Sequence, residues 1–402
     1  MLTIDKVYKA QNILKEAAKK TDLIYASNID DSEIYLKAEN LQRTGSFKLR
    51  GAYYKISQLS EEQKAKGIIA CSAGNHAQGV ALAAQKNNIK ATIFIPSTAP
   101  ISKVEATRKY GAEIRLVDGV YDDAYNEAVK YQQETGAEFI HPFDDEDVIA
   151  GQGTIALEIL EQMPDVDAIV VPIGGGGLIS GIAYTIKQLK PSCKVYGVQA
   201  DGAGSMYHSI EQHQRTELSK VSTFADGTAV KMPGINTFDF CTKYVDEIAL
   251  VSDDEVATAI LTLIERQKII AEGAGALSVA GVMFKKFPIQ GKKVVCVVSG
   301  GNIDVNILSR VINRGLLKTG RISDLTIELL DKPGQLKGVA QIISEHGANV
   351  IRVRHNQGGE GTNINDCFLE VSMETRNLRH FCEIKKAMQE AGYNVVSSKN
   401  EI

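Results

Sequence analysis

Residues 168–178, AIVVPIGGGGL, run from an uninterrupted apolar stretch into four consecutive glycines. An apolar run of this length, without alternating polar residues, indicates a strand that is buried on both faces of a parallel sheet. Glycines lack a Cβ, so their backbone can wrap closely around an anion and several N–H groups can converge on it. The stretch therefore predicts an α/β fold with an anion site at a strand end, although a tight strand-to-helix turn would use the same residues.

The same rhythm of strand and helix extends over most of the chain. Alternation of this kind predicts parallel strands joined by helices. In such sheets the loops at the carboxyl ends of strands build the ligand site, and helix N-termini bind anions. Two further strand ends run into small polar residues, SAGNHAQG at 72–79 and SGGN at 299–302. The other strand-like segments include 67–71, 91–96, 113–117, 194–198, 247–251 and 293–298.

The length and composition limit the class of protein. The chain has 402 residues, more than one hydrophobic core usually supports, so we expect at least two domains. Its formal net charge is −4 and no long basic run occurs, which argues against nucleic acid or a membrane surface as the main partner. Six scattered cysteines lack metal-binding spacing, and no signal-peptide pattern occurs. These features predict a cytoplasmic protein that acts on small molecules, with no membrane span and no metal.

A single lysine, Lys48, lies among small and polar residues in segment 39–52, ENLQRTGSFKLRGA. In an enclosed pocket a lysine loses its hydration, its pKa falls, and its amine can attack a carbonyl to form a Schiff base. Taken alone, the segment favours a solvated lysine that opens a helix. The glycine run, however, matches neither the nucleotide-hydrolysis motif nor the dinucleotide motif. A reactive lysine combined with such a phosphate cradle indicates pyridoxal 5'-phosphate as the cofactor.

The C-terminal quarter follows a different pattern. Around residues 313–320 the strand-helix rhythm stops, which indicates a short linker. Beyond it, residues 321–396 have the order strand, helix, strand, strand, helix, strand. This order predicts a ferredoxin-like unit.

Four motifs resemble, in order, the signatures of the threonine dehydratase family. They are RTGSFK at 43–48, SAGNHAQG at 72–79, GGGGL at 174–178 and SGGN at 299–302. That family belongs to the tryptophan-synthase-β-like (fold type II) group of pyridoxal phosphate enzymes. Residues 331–336, DKPGQL, resemble the start of an ACT regulatory domain. The resemblance implies a catalytic region at 1–318, with a small domain at about 43–145 inserted in the large one, and an ACT-like domain at 319–402.

The resemblance also implies roles for individual residues. Lys48 would hold the cofactor covalently and take the α-proton of the substrate, Asn75 would contact the ring hydroxyl, and Ser299 would hydrogen-bond the pyridine nitrogen. The implied cofactor-binding residues are Lys48, Phe47, Asn75, Gly174, Gly175, Gly176, Gly177, Leu178 and Ser299. The implied substrate-binding residues are Ser72, Ala73, Gly74, Asn75 and His76, although His76 could equally be structural. The implied effector-binding residues are Asp331, Pro333, Gly334, Gln335, Leu336 and Asn349.

The expected reaction is the conversion of L-threonine to 2-oxobutanoate and ammonia, with L-serine as a secondary substrate that gives pyruvate. A serine racemase or serine dehydratase is the nearest alternative, but Ala73 stands where a racemase is expected to carry a serine as second base. The metal-binding acids of that family also read as Gln199 and Ser205. Glu272 could line a cation site, but a helix cap is favoured. A non-catalytic amino-acid-binding regulator is the alternative from another class.

The C-terminal unit leaves regulation open. An amino acid such as isoleucine or valine would inhibit a biosynthetic enzyme, whereas a nucleotide activator would indicate catabolism. A module that only supports oligomers is the alternative. We expect a homo-oligomer, either a dimer or a tetramer.

Overall fold

A computed structural model describes residues 1–357 and 365–398 of the protein. The chain divides into two compact units, Met1–Asp304 and Val305–Ile402. Within the described ranges, each helix is either too short or too polar to cross a membrane.

The first unit alternates strands and helices along almost its whole length. Its strands are β1 (Leu23–Tyr25), β2 (Glu33–Ala38), β3 (Ile68–Cys71), β4 (Ala91–Pro96), β5 (Glu113–Val117), β6 (Glu138–Phe139), β7 (Ala168–Pro172), β8 (Lys194–Ala200), β9 (Glu247–Val251) and β10 (Lys293–Val298). Its helices are α1 (Ile4–Leu14), α2 (Lys48–Ser57), α3 (Glu61–Lys66), α4 (Asn75–Lys86), α5 (Ile101–Arg108), α6 (Tyr121–Thr135), α7 (Glu146–Gln162), α8 (Gly177–Leu189), α9 (Ser205–Glu211), α10 (Ile235–Tyr244), α11 (Asp253–Thr262) and α12 (Gly273–Met283).

The larger sheet of this unit has the strand order β1-β2-β10-β7-β8-β9. The pairs from β2 to β9 are parallel, and only β1 is antiparallel to its neighbour. Every residue of β7 is buried, as expected for an apolar run covered by helices on both faces. These pairings confirm the parallel α/β prediction made from residues 168–178.

The smaller sheet has the parallel order β5-β4-β3-β6 and is built from residues 68–139. Its strands β3 and β4 are fully buried. The chain then returns to the larger sheet through α7, the longest helix of the unit. That helix begins where the Asp145 carboxylate accepts the backbone N–H groups of Asp147 and Val148, at 2.8 and 3.1 Å.

The second unit has a four-stranded antiparallel sheet covered by helices. Its elements are α13 (Val305–Lys318), β11 (Ile322–Leu330), α14 (Gln335–Glu345), β12 (Asn349–Gln357), β13 (Asp366–Glu374), α15 (Leu378–Glu390) and β14 (Asn394–Ser398). The sheet order is β12-β13-β11-β14. The alternating burial along β11 and β13 places one face on an apolar core. This arrangement matches the predicted ferredoxin-like unit.

The expected linker around 313–320 is wrong for most of its length, because α13 continues to Lys318. Apolar residues recur at helical spacing along this helix, where Val311 and Gly315 are buried. The predicted catalytic boundary after residue 318 falls at the end of α13, whereas the two compact units divide before that helix.

Candidate active site

Two loops that follow neighbouring strands form the floor of the site. Strands β7 and β10 are parallel and adjacent, with Val170 opposite Cys296. This register brings the ends of both strands to the same level, so the loops 174–177 and 299–302 leave the sheet side by side. Helix α2 begins against the second loop, because the Phe47 N–H donates to the Ser299 carbonyl at 3.1 Å. The sheet thus places the start of α2 beside both loops.

Lys48 is the first residue of α2, and its amine points into this space. Its Nζ donates to the Pro142 carbonyl at 2.8 Å and lies 5.2 Å from the centre of the Phe47 ring. Burial lowers the pKa of Lys48 to about 8, although the nearby Glu272 acts to raise it. A neutral amine is the nucleophilic and basic form of lysine. Lys48 is therefore adapted to chemistry near neutral pH.

The segment that receives the lysine also supports the glycine loop. Pro142 accepts the hydrogen bond from Lys48, and the next residue, Phe143, packs against the glycines: a Cβ on Gly175 would lie 2.5 Å from the Phe143 ring. The segment is held by its own polar contacts, since the N–H groups of Phe143 and Asp144 donate to His141 Nδ1 at 3.2 and 2.7 Å. Two consecutive residues, Pro142 and Phe143, therefore contact Lys48 and the glycine loop, respectively.

One residue of the glycine loop has a left-handed conformation that residues with a Cβ rarely adopt. Gly176 has a φ of 97°, and a Cβ there would lie 2.7 Å from Met206 Cε and 2.8 Å from Thr237 Cβ. The Thr237 hydroxyl also donates to the Gly175 carbonyl at 2.6 Å. Helix α8 begins immediately afterwards at Gly177, followed by the buried Leu178. The first N–H groups of a helix have no intrahelical acceptors, so this loop is suited to hold a phosphate.

Asn75 opens α4 on the other side of the site and is fixed at both ends of its amide. Its Nδ2 donates to Glu272 Oε1 at 2.5 Å, and its Oδ1 accepts from Asn302 Nδ2 at 2.7 Å. Asn302 Nδ2 also donates to the Thr44 carbonyl at 2.7 Å. The Asn75 amide, which follows a strand of the smaller sheet, is therefore held in one orientation by residues from the larger-sheet part of the unit.

Glu272 was expected to cap a helix, but it lies in the site and contacts Asn75. It precedes α12 but makes no side-chain cap bond, and its carboxylate turns to Asn75 instead. Burial raises its pKa to about 7, although the hydrogen bond from Asn75 acts to lower it. A Cβ on Gly300 would lie 2.4 Å from Glu272 Oε1, so the SGGN loop leaves room for this side chain. In the sequence, a single acidic residue within a stretch of alanines and glycines was the feature that could have indicated a role for Glu272.

The loop from Ser72 to His76 faces open space at its centre. Ser72 Oγ accepts from the Gly74 N–H at 3.1 Å, and a Cβ on Gly74 would meet nothing within 4 Å. Ala73 is partly buried against the core of the smaller sheet. The His76 ring hydrogen-bonds the Ile140 carbonyl at 2.8 Å, and burial, aided by Lys48, lowers its pKa to about 3. The His76 ring is therefore neutral and bonded to the Ile140 carbonyl, and its predicted part in binding the substrate carboxylate stays a prediction.

The residues present fit pyridoxal phosphate. An enclosed lysine amine lies beside a glycine loop that opens a helix, which provides both the covalent and the phosphate attachment that this cofactor needs. Ser299 is buried, and its Oγ donates to the Ala274 carbonyl over a long distance of 3.4 Å. Its hydroxyl can therefore turn to another partner at the end of β10.

The positions Gln199 and Ser205, where acids would be needed for a divalent cation, are neutral and buried. The Gln199 amide is used internally, because its Oε1 accepts from the Tyr207 N–H at 2.8 Å and its Nε2 donates to the Ala203 carbonyl at 3.2 Å. Neither side chain offers the negative charge that a divalent ion prefers.

In the second unit, the residues predicted to bind an effector do not all come together. Asp331 to Gly334 form the turn between β11 and α14, with Gly334 at a φ of 95°, and Gln335 and Leu336 are the first residues of α14. Asn349 begins β12 at the opposite end of the sheet, where its Nδ2 donates to Glu374 at 3.1 Å. Asp331 instead lies with His355 and Cys367, and the potential metal-ligand atoms of these three are within 4.8 Å of one another. Within one chain the turn is therefore a polar surface separate from Asn349.

Comparison with known proteins agrees with this geometry. A family model described as "Pyridoxal-phosphate dependent enzyme" matches residues 14–300, and the chain belongs to that family. It is similar to the L-threonine ammonia-lyase of Thermotoga maritima, with 49% identity over 398 residues that cover 98% of this chain and 99% of the relative.

Solved structures show the same relationship. The processed form of threonine deaminase isoform 2 from Solanum lycopersicum is 39% identical, with a TM-score of 0.74 over 78% of this chain and 89% of that one. Maize serine racemase is 35% identical, with a TM-score of 0.74 over 78% of this chain and 98% of that one. These neighbours confirm the predicted tryptophan-synthase-β-like, fold type II class and the pyridoxal phosphate cofactor.

Proposed function

We propose that this chain is a lyase that converts L-threonine to 2-oxobutanoate and ammonia, with L-serine as a secondary substrate that yields pyruvate. The observation that carries the proposal is the Lys48 amine, enclosed and held 2.8 Å from the Pro142 carbonyl beside the glycine loop. The similarity to an L-threonine ammonia-lyase over nearly the whole chain supports the choice of substrate.

When bound, pyridoxal phosphate supplies an aldehyde that attaches the substrate amine and a conjugated ring that withdraws electrons from the substrate Cα. Gly174 to Gly177 and the Leu178 N–H would hold its phosphate at the start of α8. Asn75, whose amide is fixed by Glu272 and Asn302, would orient the ring hydroxyl. Ser299 would hydrogen-bond the pyridine nitrogen, because its hydroxyl lies at the end of β10.

Lys48 would serve as the base that removes the substrate α-proton. Because burial lowers its pKa to about 8, a useful fraction of the amine is neutral near physiological pH. The loop around Ser72 and Gly74 has room for the substrate carboxylate, with the N–H groups at the start of α4 nearby. The hydroxyl on the carbon next to Cα would take up a proton and leave as water. Another water would then hydrolyse the released enamine, through its imine form, to 2-oxobutanoate and ammonia.

Elimination is favoured over racemisation because Ala73 has no proton to return to Cα. A racemase is the second candidate function, and the similarity to maize serine racemase is the reason to test it. A regulator without catalysis would not need an enclosed lysine amine.

The test is the release of ammonia and 2-oxobutanoate from L-threonine by the full chain with pyridoxal phosphate. Lys48→Ala is expected to lose activity by several orders of magnitude, whereas Lys66→Ala, an exposed lysine paired with Glu62, is expected to keep it. Full activity in Lys48→Ala would contradict the mechanism. Conversion of L-serine to D-serine without pyruvate would favour the racemase.

We also propose that the second unit is an ACT-like domain that binds an amino-acid or nucleotide effector at the turn from Asp331 to Leu336. Kinetics of the full chain with isoleucine, valine and AMP would identify the effector. Asp331→Ala is expected to abolish the response and Asn349→Ala, at the opposite end of the sheet, to keep it. If every effector left the kinetics unchanged, a purely oligomerising role would be favoured.

A further inference from the structure

Four buried charges form a closed network beneath the start of α2. The side chains of Lys37, Glu39 and Arg50 are 0%, 0% and 1% exposed, and that of Glu158 is 10% exposed. Arg50 contacts both carboxylates in a bidentate manner, Glu39 through two bonds of 2.8 Å and Glu158 through bonds of 2.6 and 2.9 Å. Lys37 Nζ donates to Glu158 at 2.7 Å. Two positive and two negative charges therefore balance.

Burial opposes the charges of the network, and the ion pairs act against that effect. Burial lowers the pKa of Lys37, although Glu158 and Glu39 act to raise it. Burial acts to raise the pKa of Glu39, but Arg50 holds it below the ordinary value. Removing several ions from water is costly, and well-packed apolar residues often give equal or greater stability. Stability alone is therefore a weak explanation for placing four charges here, and the geometry that they impose is the more informative property.

The network connects the elements that carry the site. Arg50 lies two residues after Lys48, on the first turn of α2, and Glu158 lies on α7. The segment that leads into α7 contains Pro142, which accepts the hydrogen bond from the Lys48 amine. Lys37 lies on β2, the neighbour of β10 in the sheet, and Ser299 directly follows β10. The network thus connects the helix that carries Lys48, the helix that follows Pro142 and the strand beside β10.

Close backbone contact makes the α2–α7 junction sensitive to such bridging. A Cβ on Gly151 would lie 2.6 Å from the Arg50 carbonyl, and a Cβ on Gly51 would lie 2.8 Å from the Val148 carbonyl. Because glycines have no side chains that interlock at this contact, the relative register of the two helices depends on the side chains around it. The fork of Arg50, bound to one carboxylate on each side, provides that restraint.

We propose that Arg50 is a positioning residue that, through Glu39 and Glu158, holds the start of α2 so that the Lys48 amine stays directed at Pro142 and the glycine loop. The inference rests on the proposed role of Lys48. Lysine at position 50 would keep the charge balance but could not make the paired bonds to two carboxylates. Arg50→Lys therefore separates geometry from charge.

The experiment compares Arg50→Lys with Asp246→Asn in the full chain. Asp246 binds Lys187 and Lys194 at 2.6 and 2.8 Å in the same unit, and none of these residues contacts the site described above. The measurements are the thermal midpoint, kcat and KM for L-threonine, and the pH midpoint for acylation of the Lys48 amine in cofactor-free protein.

Arg50→Lys is expected to lower kcat by roughly 10- to 100-fold, as for small displacements of a reacting group. Its Lys48 acylation midpoint should move upward from about pH 8, because a misplaced amine is less enclosed. Asp246→Asn should keep kcat within about twofold of wild type and the acylation midpoint within a few tenths of a pH unit. This should hold even if its thermal midpoint falls as much as that of Arg50→Lys. If circular dichroism shows that Arg50→Lys is unfolded, Glu158→Gln takes its place with the same readouts.

Equal kcat values and equal acylation midpoints in Arg50→Lys, Asp246→Asn and wild type would overturn the inference. The same holds if both variants lose activity in proportion to their stability. The acylation readout needs no substrate, so it remains informative if wild type releases no ammonia from L-threonine, a result that would reject the proposed function instead.

Discussion

Substitution of Gly176 by alanine tests the glycine loop most sharply, because Gly291 provides a matched control. Gly176 has a φ of 97° and Gly291 a φ of 68°, so alanine at either position adopts a left-handed conformation. That conformation costs roughly 1–2 kcal/mol for a residue with a Cβ. Only at Gly176 would the new Cβ also meet buried atoms, Met206 Cε at 2.7 Å and Thr237 Cβ at 2.8 Å, whereas at Gly291 it meets nothing within 4 Å.

Placing the alanine Cβ against Met206 and Thr237 overpacks a filled core, which costs about 1–3 kcal/mol of steric strain. In the cofactor-free protein the loop can relieve this strain by moving, but holding a phosphate requires the original backbone. The strain should therefore reappear as lost affinity for pyridoxal phosphate, with Kd rising roughly 5- to 150-fold in Gly176→Ala.

Fluorescence titration of cofactor-free protein with pyridoxal phosphate measures this Kd for both variants. Gly291→Ala is expected to bind like wild type, because its loop lies at an exposed turn before β10. The reasoning is refuted if the two variants bind the cofactor with the same affinity, since the glycine loop would then not be the phosphate site.

Three further predictions concern the side chains around Lys48. The acylation rate of the Lys48 amine in cofactor-free protein should rise with pH through a midpoint near 8, because burial lowers its pKa; a midpoint above pH 10 would indicate a solvated lysine. Glu272→Gln removes a charge that favours the ammonium form, so it should shift this midpoint to lower pH, and an upward shift would contradict the electrostatic effect of Glu272 on Lys48. Ala73→Ser should introduce formation of D-serine from L-serine, which chiral chromatography detects; no D-serine would mean that position 73 does not face Cα.

Much of the fold could be predicted from local patterns. The apolar runs that became β3, β4, β7 and β10 are buried on both faces, so composition alone identified them. Several short elements were not predicted, among them β1 with three residues and β6 with two, which are too few for a periodic pattern. Helix α10 was missed because it follows a long irregular stretch with only two buried residues of its own, Thr237 and Cys241.

The site was predictable where the residue type itself limits the role. Lys48 carries a reactive amine, and the glycine run has a backbone that can approach an anion closely. It was not predictable where the contact joins distant segments. Glu272 and Asn75 are 197 residues apart, so only the fold shows that they are bonded. The acceptor for Lys48 is the backbone carbonyl of Pro142, and no side-chain pattern encodes a carbonyl direction.

The central claim is that the Lys48 amine carries the cofactor. Borohydride reduction of the enzyme loaded with pyridoxal phosphate, followed by peptide mass spectrometry, tests it directly. We predict a single pyridoxyl group on the peptide that contains Lys48, and none in Lys48→Ala. A pyridoxyl group on another lysine in the active wild-type enzyme, with Lys48 unmodified, would contradict the account.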